Sequence, residues 1–102
     1  MNQAHLMSQL KKMQAEMAKA QKELADTVVT GTAAAGSVTV EMTCDQRVRR
    51  IRIAKEVVDP DDLETLEDLV TVAVNEALRN AGETSQKRMA SVTGGVRVPG
   101  LM

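Results

Sequence analysis

The stretch SVTVEMTCDQRVRRIRI, residues 37–53, contains two strand patterns separated by a short turn. The first pattern, Ser37–Thr43, alternates apolar and polar side chains, as a strand with one buried face does. Asp45 and Gln46 then provide a turn. The predicted apolar face of this strand consists of Val38, Val40 and Met42.

The second strand, Arg47–Ile53, does not alternate strictly, because Val48 is out of phase with the two isoleucines that follow it. One extra residue, at Arg49 or Arg50, would return all three apolar side chains to a single face. We therefore predict a β-bulge there, which also turns arginines outward. The two strands should form an antiparallel hairpin whose apolar side chains share one buried face.

Two further elements precede this hairpin. Thr27–Ala34 is rich in Thr and Val and predicts a strand with a kink or bulge at Gly31. Before it, an apolar stripe with helical spacing predicts a helix that ends near Asp26. At 1.5 Å per residue this helix is roughly 35 Å long, so part of it should project as an arm or pair with another helix. The spacing fits either a core-facing helix or a coiled-coil-like pair, and the stripe is Leu6, Leu10, Met13, Met17, Ala20 and Leu24.

A second long helix follows the hairpin. Asp59 can cap it and Pro60 suits its first position. Gly82 should weaken its middle, so that residues 83–92 form a separate or bent segment leading away from the core. The predicted apolar face, wide enough to lie on a sheet, is Leu63, Leu66, Leu69, Val70, Ala73, Val74, Ala77, Leu78 and Ala81. The fold class is therefore α+β.

A chain of 102 residues has the size of one domain, which we place at residues 1–95, with residues 96–102 as a flexible C-terminal tail after Gly94-Gly95. Aromatic residues make up 0% of the composition, so no side chain can stack on bases as in single-strand readers of the OB or RRM type. The core must be aliphatic. The free energy that its burial contributes is small compared with the entropic cost of ordering the chain. We therefore expect an oligomer.

The sequence points to a cytoplasmic protein without a membrane partner. No secretory signal pattern is visible near its start, and a single cysteine allows no internal disulfide. The formal net charge of −1 gives the whole molecule no attraction to nucleic acid. Charge is nevertheless segregated, since a basic run at residues 47–55 is followed by an acidic run at residues 56–68.

Candidate catalytic groups are few. His5 lies near a helix start, and Cys44 has no second histidine that could activate it, so it is expected to be a packing residue. The acidic run lacks the spacing of a calcium loop, and helix capping explains it better. No glycine-rich phosphate loop is present. We predict that the protein is not an enzyme and uses no cofactor, metal or small-molecule substrate.

Basic residues remain as candidate binding groups, with a solvated face as the alternative for each cluster. A two-fold dimer would place two copies of each cluster at a fixed separation, which suits the periodic charge of a duplex. The favoured candidates for DNA contact lie on the first helix and near the end of the second: Lys11, Lys12, Lys19, Lys22, Lys87 and Arg88. The rival site is the basic strand, where acids that open the second helix could neutralise Arg47, Arg49, Arg50 and Arg52.

Several stretches in order resemble the YbaB/EbfC family of bacterial nucleoid-associated proteins. They are QLKKMQAEM (9–17), QKEL (21–24), VTG (29–31), GSVTV (36–40), LEDLV (66–70), AVNEA (73–77), Met89 and TGG (93–95). The chain departs from the family at Ala33–Ala35 and at Cys44–Gln46, where members often have glycine.

The resemblance implies a homodimer with the order helix, three antiparallel strands, helix, whose helical ends project like tweezers. It also implies binding of duplex DNA with weak sequence preference and a role in organising the chromosome within the nucleoid. The alternative function is a scaffold dimer whose helical seam docks a replication or recombination protein without direct DNA binding. Net charge favours the alternative, and the resemblance favours DNA binding.

Overall fold

The computed structural model describes residues 3–92 and has the predicted α+β architecture. The first long helix and the three strands are followed by one 3₁₀ turn and a second long helix. In order, the elements are α1 (Gln3–Asp26), β1 (Val28–Ala33), β2 (Val38–Thr43), β3 (Val48–Ile53), the 3₁₀ turn (Lys55–Val57) and α2 (Leu63–Val92). The strands form one antiparallel sheet in the order β1-β2-β3. Gly94-Gly95 and the predicted tail lie outside the described residues.

The predicted β-bulge is confirmed in β3. Glu41 pairs with Arg50, whereas the next residue of β2, Met42, pairs with Val48. Arg49 is therefore the extra residue. Because of it, Val48 faces the same side of the sheet as the two isoleucines of β3, which pair with Val40 and Val38.

Both turns of the sheet contain left-handed residues other than glycine. Ala34 and Ala35 have φ angles of 53° and 56°, followed by Gly36 at 90°, and Gln46 has a φ of 68°. The β1–β2 turn is closed by the Gly36 N–H, which donates to the Ala33 carbonyl at 3.2 Å. Alanine is strained in this region of φ, and glycine would fit the turn with less strain.

Gly31 does not form a β-bulge, so the prediction of a bulge there is wrong. β1 pairs with β2 without a register shift, and Gly31 lies opposite Val40. The reason for glycine is the close approach of α2. A Cβ built on Gly31 would lie 2.2 Å from both the Ala73 carbonyl oxygen and the Ala77 backbone nitrogen. Only a residue without a side chain lets the helix backbone lie this near the strand.

The core is formed where α2 crosses β1 and β2. Small residues of the helix are fully buried against the sheet, at Ala73, Ala77 and Ala81. The predicted face of β2 is confirmed, since its apolar side chains are at most 1% exposed at Val38, Val40 and Met42. Larger side chains of α2 pack around this centre as partly buried residues, at Leu69, Val70 and Val74.

The apolar side chains of β3 share the face of this core but are not buried within one chain. Val48 is 48% exposed, Ile51 43% and Ile53 42%. Their predicted face is confirmed, and their predicted burial is wrong for the single chain. The cause is the position of α2, which covers the β1 and β2 side of the sheet and leaves β3 exposed along its length.

Helix α2 begins three residues later than Asp59 would place it if that residue were the cap. Asp59 instead closes a turn, in which its carboxylate accepts from the Asp61 N–H at 2.9 Å. Asp62 caps the helix, because Oδ1 accepts from the Thr65 N–H at 3.3 Å and Oδ2 from the Thr65 hydroxyl at 2.6 Å. These bonds lower the pKa of Asp62.

From Leu63 to Val92 α2 is one α-helix that continues through Gly82, so the prediction of a separate segment after Gly82 is wrong. Two members of its predicted apolar face, Leu63 and Leu78, are exposed.

Helix α1 packs on the body at its C-terminal end, where Ala20 and Leu24 are buried. The Leu24 carbonyl accepts from the Cys44 N–H at 3.1 Å and so ties this end to the β2–β3 turn. Earlier members of the stripe, Leu6 and Leu10, are 46% and 47% exposed. The described residues span 70 × 27 × 17 Å, as expected of a body with a projecting arm. Among them no helix has the length and apolar character to cross a membrane.

Replacing Gly31 with Ala should destabilise the protein by about 2 kcal/mol or more, because the new methyl group overlaps the backbone of α2. Replacing Gly82 with Ala is the matched control. A Cβ at Gly82 meets nothing within 4 Å, so helix propensity should raise stability by about 0.5–1 kcal/mol. Urea unfolding of both variants measures these changes. A Gly31→Ala variant with unchanged stability would contradict the close approach of α2 to β1.

Candidate nucleic-acid interface

Four exposed lysines lie on one side of α1, and we call them the lysine face: Lys11, Lys12, Lys19 and Lys22. Because successive residues of a helix are rotated by about 100°, these four fall within a sector of about 100°. The centre of that sector is opposite the apolar stripe, and Lys12 lies at the edge of the sector nearest the stripe. Lys11 and Lys22 are about 16 Å apart along the axis, at 1.5 Å per residue. The lysine face therefore presents a row of ammonium groups on the outside of the arm.

No carboxylate interrupts the lysine face between its first and last members. Ala15 and Ala18 lie between the lysines, whereas Glu16 and Glu23 point toward α2. None of the ion pairs found within residues 3–92 involves a lysine of this face. The ammonium groups are thus available to an external anion, and phosphate oxygens are suitable partners.

Arg88, also predicted to contact DNA, is engaged inside the chain. Its Nε donates to Glu23 Oε2 at 2.8 Å, and another guanidinium nitrogen donates to the Ser91 hydroxyl at 2.8 Å. The hydrogen bond from Arg88 is the main cause of the lowered pKa of Glu23, and the same bond raises the pKa of Arg88. This pair, which we call the strut, joins α1 to α2. Lys87, its neighbour in sequence, is exposed.

The arginines of the rival site lie on and beside β3. Arg47 pairs with Asp45, with Nε 3.1 Å from Oδ2, and Arg52 lies 3.9 Å from Glu41. Both acids belong to the β2–β3 hairpin itself rather than to the acidic run that opens α2. Arg50 lies opposite Glu41, on the sheet face away from α2, and Arg49 occupies the bulge. Two of the four arginines are therefore partly neutralised within their own hairpin.

Cys44 fits the predicted packing role. It is 4% exposed, and burial, with a smaller effect from the Asp45 charge, raises the pKa of its thiol. A raised pKa disfavours the nucleophilic thiolate. Within the part of the chain that the structure describes, no group of three or more His, Cys, Asp or Glu side chains could hold a metal ion.

Comparison with known proteins shows the family to which this chain belongs. The model of the YbaB/EbfC DNA-binding family matches residues 1–96. The chain belongs to this family. The resemblance inferred from the sequence is thereby confirmed, and the YbaB/EbfC family is a DNA-binding family rather than a family of enzymes.

Curated relatives are similar to this YbaB/EbfC member over nearly the whole chain. A nucleoid-associated protein of Chloroflexus aurantiacus is 48% identical over 97 residues, which cover 95% of this chain and 97% of that protein. A nucleoid-associated protein of Alkaliphilus metalliredigens is 45% identical and covers 98% of this chain, with 88% of its own length matched. One from a Roseiflexus species is 44% identical over 102 residues, covering 99% of this chain and all of that protein.

A solved structure confirms the fold. The uncharacterized protein HP0035 from Helicobacter pylori aligns with a TM-score of 0.73 and 20% sequence identity, covering 85% of this chain and 91% of that one. At this level of identity the likeness concerns the fold alone.

The strut was not foreseen from the sequence, because Glu23 and Arg88 are 65 residues apart and no local pattern links them. The close packing of α2 on β1 does have a signal in the sequence. Small residues recur every four positions at Ala73, Ala77 and Ala81, and such a row permits close backbone approach.

Replacing Glu23 with Gln should lower the stability of the protein at neutral pH, because the strut loses its charge. The pKa of Glu23 is lowered in the folded state, so its contribution is present above its ordinary pKa of 4.5 and is lost as pH falls through the folded value. Thermal unfolding across pH 3–7 should show the wild type and the variant converging at the acidic end. Glu67→Gln, on the exposed side of α2, is the control and should not show this convergence. A pH-independent difference for Glu23→Gln would contradict the charge pairing.

Proposed function

We propose that this YbaB/EbfC protein is a homodimer that binds duplex DNA through the lysine faces of its two projecting arms, with weak sequence preference, and helps to organise the bacterial chromosome in the nucleoid. The observation that carries the proposal is the lysine face. It is exposed and uninterrupted by acids, and it points away from the apolar stripe.

The proposed dimer follows from the uncovered half of the sheet. Val48, Ile51 and Ile53 lie on the core face yet remain more than 40% exposed. A second copy placed on this face would bury them and add apolar burial to a core whose helix contributes mainly alanines. Two-fold symmetry would then set the two arms at a fixed separation. Lys87 is included among the residues proposed to contact phosphates. Arg88 is less available to a phosphate because it is bonded to Glu23 in the strut.

Weak sequence preference is expected from the available side chains. The chain has no aromatic residue that could stack on a base. Lysine ammonium groups are point charges that contact phosphates, and phosphate contacts carry no direct information about sequence. Affinity should therefore be mainly electrostatic.

The dimer face is tested by placing a charge on it. Ile51→Asp should abolish the dimer, because a carboxylate would be buried without a partner in the interface. Sedimentation at micromolar concentration should give about twice the chain mass of 11.0 kDa for the wild type and lose that species in the variant. Thr39→Asp places the same charge on the opposite face of the sheet, beside Arg52, and should stay dimeric. A dimeric Ile51→Asp variant would locate the interface elsewhere.

The DNA surface is tested by replacing all four lysines of the lysine face with Gln. This variant should lose duplex binding at moderate salt while its sedimentation and helix content stay unchanged. In the wild type, log affinity should fall linearly with log salt, and each phosphate contact removed should reduce the slope by about 0.9.

The matched control replaces Arg47, Arg49, Arg50 and Arg52 with Gln, which removes the same number of positive charges from the sheet. It should retain most of the affinity. The opposite result, binding by the lysine variant and none by the arginine variant, would move the DNA contact to β3.

A further inference from the structure

The outer part of α1 carries an apolar groove that no described residue fills. The groove has a volume of about 650 Å³ and is lined by Leu6, Gln9, Leu10, Lys12, Met13, Glu16 and Val92. Six of these residues belong to α1, and Val92 is the last residue of α2. Leu6 and Leu10 are nearly half exposed along it. The groove lies on the opposite side of the arm from the centre of the lysine face.

The direction of α2 shows which segment of the chain meets this groove. The strut joins Arg88 to Glu23, and Val92, one helical turn further on, lines the same groove as Glu16. The two helices are thus antiparallel, and the last described residue of α2 lies about halfway along the arm. At Val92 the axis of α2 points along α1 toward Leu10 and Leu6.

The residues that follow Val92 have the composition to occupy this groove. Residues 93–102 read TGGVRVPGLM. Gly94-Gly95 suits the end of a helix, and apolar residues then recur at Val96, Val98, Leu101 and Met102. Arg97 can pair with Glu16 on the wall of the groove.

The length of the segment is also sufficient. From Met13 to Leu6 the stripe extends about 10 Å along the helix axis, at 1.5 Å per residue. Seven extended residues reach about 23 Å. No reversal of the chain is needed, because α2 already points along the stripe toward its outer end.

We propose that residues 96–102 dock in the groove on α1 of the same chain and cover the apolar stripe that α2 leaves exposed. Docking supplies the outer arm with apolar cover that the body of the protein does not provide. Of the lysine face it meets Lys12, which lines the groove. The proposal does not depend on DNA binding, and it would stand if the DNA contact proved to lie on β3.

Disulfide trapping in the full-length chain tests the placement. In a Cys44→Ala background, Leu10→Cys with Val98→Cys puts one thiol in the groove and one on the segment. Ala15→Cys with Val98→Cys is the matched control, because Ala15 is exposed on the opposite side of α1. Under mild oxidation the groove pair should form an intrachain disulfide about tenfold faster than the control pair, since docking raises the effective concentration of the two thiols. Equal rates would overturn the proposal, and so would a crosslink formed between chains.

Hydrogen exchange provides an independent measurement without new cysteines. In the full-length variant Val98→Asp with Leu101→Asp, amides of residues 3–13 should exchange at least about fivefold faster than in the wild type, while amides of β2 stay unchanged. The variant Arg97→Gln removes only the proposed pairing with Glu16, so the exchange rates of residues 3–13 should increase less than in the aspartate variant. Unchanged exchange in residues 3–13 of the aspartate variant would overturn the proposal.

Discussion

The contact between Gly31 and the backbone of α2 at Ala73 and Ala77 is the constraint on which the rest of the molecule depends. It brings the helix onto β1 and β2 at a distance that only small residues allow. A helix in that position cannot also cover β3, so the third strand keeps its apolar side chains exposed. The same contact sets the direction in which α2 leaves the sheet, and therefore where it meets α1.

The body and the arm are stabilised by different interactions. In the body, apolar side chains of β2 are fully buried beneath the helix, with almost no exposed area at Val38, Val40 and Met42. In the arm, the described contacts between α1 and α2 include a charged strut and a few partly buried residues of the stripe. A partly exposed ion pair contributes little compared with a packed core. The arm can therefore respond to salt and pH under conditions in which the body is unaffected.

The sequence was sufficient for the elements that depend on local patterns. The alternation of apolar and polar residues predicts the buried face of β2. Val48 is out of phase with the isoleucines of β3, and this locates the bulge, whose extra residue is Arg49. Local patterns do not predict features that depend on packing between distant segments. A local pattern suggests a bulge at Gly31, but the glycine is required by the backbone of α2, more than forty residues away in the sequence. The sequence favours Asp59 as the cap because Pro60 suits the first helical position, but Asp59 closes a turn and Asp62 caps the helix.

Gly31 and the alanine row of α2 also determine how this protein can change over evolutionary time. A side chain at Gly31 would push α2 off the sheet, and no neighbouring substitution can restore the lost space, because the atoms in the way belong to the backbone. The outer arm has no such restriction, since its side chains face solvent on most sides. Substitutions at solvent-facing positions of the arm are therefore tolerated more readily than substitutions where α2 lies on β1. The surface of the arm can therefore diverge faster than the fold.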